Sequence, residues 1–100
     1  MSEKSSSTPT HLFPLGRVMA TPGALDLLDS TGTNGSDILQ RHVTGDWSGL
    51  LPEDSEENKL AIAAGGRILS SYEIGRVGRR IWVITEADRS VTTLLLPEEY

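Results

Sequence analysis

The sequence predicts an α+β domain: two to three short helices packed on one face of a three- to four-stranded antiparallel β-meander. Three observations carry that expectation. Capped helical stripes occupy the middle of the chain. Three strand-like segments, RILSSYEI, RRIWVITEA and RSVTTLLLP, close it with tight connections. One hundred residues suffice for one modest core. Residues 1–11, MSEKSSSTPTH, offer almost nothing to bury and read as a mobile tail, leaving 12–100 as the domain.

The elements follow in order. Phe13, Leu15 and Met19 share one parity in a stretch read as a short strand or extended lead-in, which Pro14 and Gly16 weaken. Thr21-Pro22 opens a first helix, threonine as N-cap and proline at the first helical position. Ala24, Leu25, Leu27 and Leu28 make its stripe and Gly32 its stop. Asn34-Gly35 is a turn, and Ser36 is expected to cap a second helix presenting Ile38, Leu39, His42 and Val43 on one side. Thr44-Gly45-Asp46 breaks that helix, and Trp47, Leu50 and Leu51 can plug the core from the following loop. A third helix is expected from near Asp54 to Ala64, with acidic residues in its first turn and Leu60, Ala61 and Ala64 buried. Gly65-Gly66 ends it. In the first C-terminal strand Ile68, Ser70, Tyr72 and Ile74 alternate against Arg67, Leu69, Ser71 and Glu73. Gly75 to Gly78 is a hairpin connection. The second strand is apolar on both faces, which predicts a central position, with Trp82 packed on the helices or on the opposite strand. Ala87-Asp88-Arg89-Ser90 turns the chain into the third.

Charge and composition narrow the function classes. The net charge of −5 argues against non-specific grip on a duplex, which requires neutralising many phosphates. Arg67, Arg76, Arg79, Arg80 and Arg89 nevertheless concentrate in the C-terminal third, read first as solvated surface. The chain has no cysteine, so disulfides, cysteine zinc sites and thiol chemistry are excluded. No charged start followed by an apolar run is present, and no apolar stretch approaches a membrane span. A cytoplasmic location is the expectation.

Candidate site residues are few. His42, inside the fold, suits acid–base work, and the plainer reading is a helix-end histidine bonding a terminal carbonyl. Asp46, four residues on, could contact it. Gly45-Asp46-Trp47 reads as a tight turn in which aspartate caps an amide and tryptophan anchors the loop. A metal is not expected, since His42 and Asp46 lack further ligands at known spacing and Glu53-Asp54-Glu56-Glu57 lacks the calcium-loop alternation. No cofactor motif occurs, because Gly75-x-x-Gly78 precedes no helix. A sharper alternative sets His42 against Arg67, Arg89 and Thr92, with Ser70, Tyr72 and Thr93 nearby. Small metal-independent ribonucleases array an acid–base residue, arginines and a hydroxyl over an antiparallel sheet. At that coarse level the chain resembles barnase/RelE-like nucleases. As a binding surface, Asp46, Trp47, Asp88 and Arg89 are the candidates. In the turn, Asp88 or Ser90 should bond local amides and leave Arg89 to water.

The segments LFPLGRVMATPGAL, RHVTGDW and IWVITEADRSVTTLLLPEEY resemble a family of small bacterial proteins labelled plasmid-related and found on mobile or accessory elements. The resemblance implies a bacterial, cytosolic protein and carries over no catalytic residue. It also implies a setting of plasmid or phage conflict, such as anti-restriction. The leading expectation is a non-enzymatic interaction module whose partner is another protein. Next stands the ribonuclease-like enzyme, with RNA or other nucleic acid as its partner.

Overall fold

The computed structural model describes residues 11–76 and 78–100. The tail expected over 1–11 lies almost entirely outside them. The described elements are β1 (Arg17–Ala20), α1 (Pro22–Thr31), α2 (Gly35–Val43), α3 (Pro52–Ala64), β2 (Ile68–Ile74), β3 (Arg79–Thr85), β4 (Val91–Leu95) and a closing 3-10 turn, Pro97–Glu99. The architecture is α+β. The sheet order is β1-β4-β3-β2, with β2–β3 and β3–β4 antiparallel as the hairpins require. The added strand differs from a pure meander: β1 lies parallel to β4, so the sheet is mixed. The reason is connectivity, because three helices separate β1 from the meander and let the chain return in either direction.

Local chemistry accounts for the helix ends. Thr21 accepts from the Ala24 N–H at 3.1 Å and Pro22 opens α1, while Gly32, in the left-handed region at φ 65°, closes it. The cap of α2 is Asn34, bonded to the Ser36 N–H at 2.9 Å; Ser36 itself lies inside the helix. The asparagine side chain does there what the expected serine cap would have done two residues later. Helix α3 starts at Pro52. Its packing departs from the expected stripe: Leu60 and Ala64 are exposed, and the buried positions are Asn58 with Ala61 and Ile62 half-buried beside it. Asn58 decides that rotation. Its side-chain amide donates to the Leu69 carbonyl at 2.7 Å and accepts from the Leu69 N–H at 3.1 Å, satisfying the outer edge of β2 as a neighbouring strand would. A helix that docks through an amide onto a strand edge cannot also bury Leu60.

One face of the sheet meets the helices. Ala24, Leu27 and Leu28 of α1 and Ile38 of α2 pack on Tyr72, Ile74, Ile81, Val83, Leu94 and Leu96. Phe13, Val43, Trp47 and Ile68 form a second cluster at the other end, with Leu15, Leu50, Ala61 and Ile62 against it. β3 is interior, as expected. Trp82, however, points to the outer face, where it is half-buried opposite Leu95 and meets Tyr100 edge-on with ring centroids 5.6 Å apart. Gly16 sets the lead-in: at φ 66° its Cα lies so close to the Arg89–Ser90 turn that an added Cβ would fall 2.4 Å from the Arg89 carbonyl oxygen.

Candidate functional site

The arrangement around His42 is built from three strands and a helix end. α2 carries the ring to the sheet, where it has no solvent-accessible surface. Nδ1 lies 2.5 Å from Ser70 Oγ on β2, and Nε2 lies 2.9 Å from Thr85 Oγ1 on β3. Thr85 Oγ1 is 2.7 Å from Thr92 Oγ1 on β4, and Thr92 donates to the Leu15 carbonyl at 2.7 Å. That carbonyl polarises the whole chain of bonds. A carbonyl only accepts, so the single Thr92 hydroxyl proton is spent on Leu15, and Thr85 must donate to Thr92. Thr85 then accepts from His42 Nε2–H, and Nδ1 accepts from the Ser70 hydroxyl. The network therefore selects the neutral Nε2–H tautomer. Burial agrees with it, pushing the His42 pKa down to about 4.

This is a satisfied interior, and it ties α2, the meander and the lead-in before β1 into one unit. Neither a helix-end carbonyl nor Asp46 is the partner of His42. Asp46 is half-exposed and holds Arg41, whose Nε donates to it at 2.6 Å, and it accepts from Ser48 Oγ at 2.9 Å. The Arg41 guanidinium, above all, holds the Asp46 carboxyl below its usual range. The Asp46 carbonyl receives the Tyr72 hydroxyl at 2.8 Å, and Arg41 stacks over the Tyr72 ring at 4.4 Å. Burial raises the Tyr72 pKa to about 12, so the phenol stays a donor. Trp47 anchors the loop as expected and is buried; its indole N–H has no acceptor among the described residues.

The structure distributes the remaining site residues. Thr92 and Ser70 belong to the buried chain just described. Arg67 and Thr93 stand on the opposite face of the sheet, where Arg67 donates to the Tyr100 hydroxyl at 2.6 Å and pairs with Glu86 at 3.5 Å. Arg89 occupies a third place. Asp88 accepts from the Ser90 N–H at 3.0 Å, which is the expected turn bond. Arg89 itself, at φ 62°, does not extend into water: it donates to the carbonyls of Gly66 (2.6 Å), Ala61 (3.1 Å), Glu86 (3.1 Å) and Ala87 (3.2 Å). Two of those acceptors, Ala61 and Gly66, lie at the C-terminal end of α3, whose last turn carries no basic residue of its own. Phe13 stands between the two regions, edge-on to His42 at 5.1 Å and with the Arg89 guanidinium 5.8 Å from its ring centre. A phenyl ring thus fills the space where a phosphate bridging His42 and Arg89 would sit. Among the described residues no three or more acidic or histidine side chains gather as a metal would require.

What the sequence reading passed over is the β1 end of the outer side of the sheet. Strand register places Met19, Thr93, Ile84 and Leu69 in one row across all four strands. Arg67 and Tyr100, with Trp82 beneath, roof the β2–β3 half of this face, and Ile84 and Leu95 are only 5 % and 7 % exposed. The roof stops short of β1. There a groove of about 620 Å³ is lined by Arg17, Met19, Ser90, Val91 and Thr93, and Met19 is half-exposed in it. The shared parity of Leu15 and Met19 hinted at a strand, but no local signal told that it would end a sheet. No protein-family model, curated protein or solved structure matches this chain. No helix among the described residues is long and apolar enough to cross a membrane.

Proposed function

We propose that the protein is a non-enzymatic interaction module, an accessory protein of bacterial mobile elements, that docks another polypeptide on the uncovered β1 side of its sheet. The observation that supports it is the contrast between the two candidate surfaces. His42, Arg67 and Arg89 are each committed to hydrogen bonds in a different part of the fold. The groove beside Met19, by contrast, is open, mostly apolar and bordered by a strand whose outer edge has no described partner. The setting on mobile elements rests on the RHVTGDW and ITEADRSVTTLLLPEEY resemblance.

The test compares photo-cross-linking with catalysis. A benzophenone amino acid placed at Met19 should yield a protein adduct in the native host, and the same probe at exposed Asp37 on α2 should not. RNA cleavage by the purified chain that disappears in a folded His42→Ala variant would establish the ribonuclease reading instead.

A further inference from the structure

The two edges of the sheet are treated differently by the chain. The β2 edge is closed by the Asn58 amide on Leu69 and by Gly49, which lies so close that an added Cβ would meet the Ser71 carbonyl at 2.5 Å. The β1 edge carries no such cover among the described residues. Arg17 donates to the Ser90 carbonyl and Thr21 to the Leu94 carbonyl, each at 3.0 Å. Odd-numbered residues therefore serve β4, and Val18 and Ala20 turn their N–H and C=O groups outward. Proline, lysine and bulges, the usual guards of an edge, are absent from Arg17–Ala20.

We propose that this edge is occupied by β1 of a second copy of the chain, paired antiparallel about a two-fold axis at Met19, so that two sheets join into one. The inference rests on the interaction-module reading and names its partner. Strand length selects the register. Gly16, at φ 66°, ends extended backbone on one side and Pro22 on the other. The alignment that pairs both outward-facing residues sets Val18 against the partner copy's Ala20, and Ala20 against its Val18, each pair exchanging both N–H···O bonds. Met19 then faces its own counterpart across the axis as a close, non-hydrogen-bonded pair. The row Leu69–Ile84–Thr93–Met19 continues without a break into the same row of the other copy.

Charge complements this register and no other feature of the edge does so as directly. Arg17 falls opposite the partner copy's Thr21. Thr21 donates its hydroxyl to Glu99 Oε1 at 2.5 Å, and Glu99 also accepts from the Leu96 N–H at 2.8 Å. These bonds, that of Thr21 foremost, hold the Glu99 carboxyl below its usual range. Among the described residues Arg17 has no ion pair, so symmetry supplies two Arg17–Glu99 encounters at the ends of the seam. A seam built on so short a strand is a weak one, strengthening with concentration.

The absence of cysteine makes the test direct. In the full-length chain, Met19→Cys places two thiols across the axis at roughly 4.5 Å between Cα atoms, a separation compatible with a disulfide. Under mild oxidation it should form a covalent dimer, and Thr93→Cys, about three strand spacings or ~14 Å apart, should not. Sedimentation equilibrium of the unmodified chain should show reversible dimerisation. Val18→Pro removes an outward N–H that β4 does not use, and Met19→Lys sets like charges across the axis; each should weaken association at least ~10-fold with circular dichroism unchanged. A chain that stays monomeric up to ~1 mM, or equal cross-linking of the two cysteine variants, overturns the dimer. A Met19 photo-adduct with a different protein on a monomeric chain sinks this inference and leaves the module reading standing. A monomer with no adduct at all sinks both.

Discussion

The two faces of the sheet solve the problem of polar residues in opposite ways. On the helix-covered face, His42, Ser70, Thr85 and Thr92 are all buried, and every proton among them has a place. On the outer face, among the described residues, Ser71 alone is buried, held by the Arg80 guanidinium at 2.8 Å, and the larger polar groups reach solvent: Arg67 bonds the Tyr100 hydroxyl, and Glu86 steadies the arginine. The first arrangement is costly to disturb, because a buried donor or acceptor left alone loses its water as well as its partner. The second costs little to disturb, because water replaces what is removed. A polar cluster is therefore most sensitive to mutation where it is least accessible to a substrate. For this protein the inner face therefore carries stability, and the proposed docking site lies away from it.

The comparison can be broken most sharply at His42. Replacing it with alanine empties a closed site and strands Ser70 and Thr85, so a loss of about 3–5 kcal/mol is expected. In a chain of this size a thermal melt would register that as a drop of well over 10 °C. A His42→Ala protein with native stability would show that the hydroxyl chain holds nothing together.

Titration tests the same group without mutation. The folded pKa of His42, about 4, lies below its unfolded value of 6.5. The unfolded state therefore binds the proton first as pH falls. The stability this group contributes is complete above about pH 6.5 and is lost progressively down to about pH 4, amounting to about 3 kcal/mol. Urea melts across that window should show the slope in the native chain and a flatter one in a folded His42 variant. Asp46, whose carboxyl is also depressed, acts only at the acid end of the range.

Arg89 sharpens the contrast from the boundary between the faces. Arg89→Ala removes the tie from the β3–β4 turn to the end of α3 and keeps the left-handed backbone, for an expected loss of about 2–3 kcal/mol. Arg89→Gly removes the same tie and relieves the backbone, so it should be about 1 kcal/mol less damaging. Equal melting temperatures for the two would discount backbone strain at this position. On the outer face, Trp82→Ala should cost only about 1–2 kcal/mol, since the ring is half-buried against Tyr100. Tyr100→Ala should cost less than ~1 kcal/mol. A Trp82 loss as large as that of His42 would mean that the outer face is as sealed as the inner.

Local chemistry in the sequence determined much of this molecule. Thr21-Pro22 and Gly32 bound α1, the alternation Ile68-Ser70-Tyr72-Ile74 set the inward face of β2, and the short connections made β2 to β4 a meander. Asp88 and Ser90 closed their turn as such residues do. These features depend on neighbours within a few positions, and a sequence displays such neighbours directly. Tertiary structure alone decided the rest. It laid β1 parallel beside β4, rotated α3 so that Asn58 meets the Leu69 backbone, and sent Arg89 to the end of α3. It also lined Ser70, His42, Thr85 and Thr92 into one chain from segments 28, 43 and 7 residues apart. The identity of a histidine reveals its chemistry, but whether that chemistry faces substrate or core depends on what closes over it, and here three strands and a phenylalanine do.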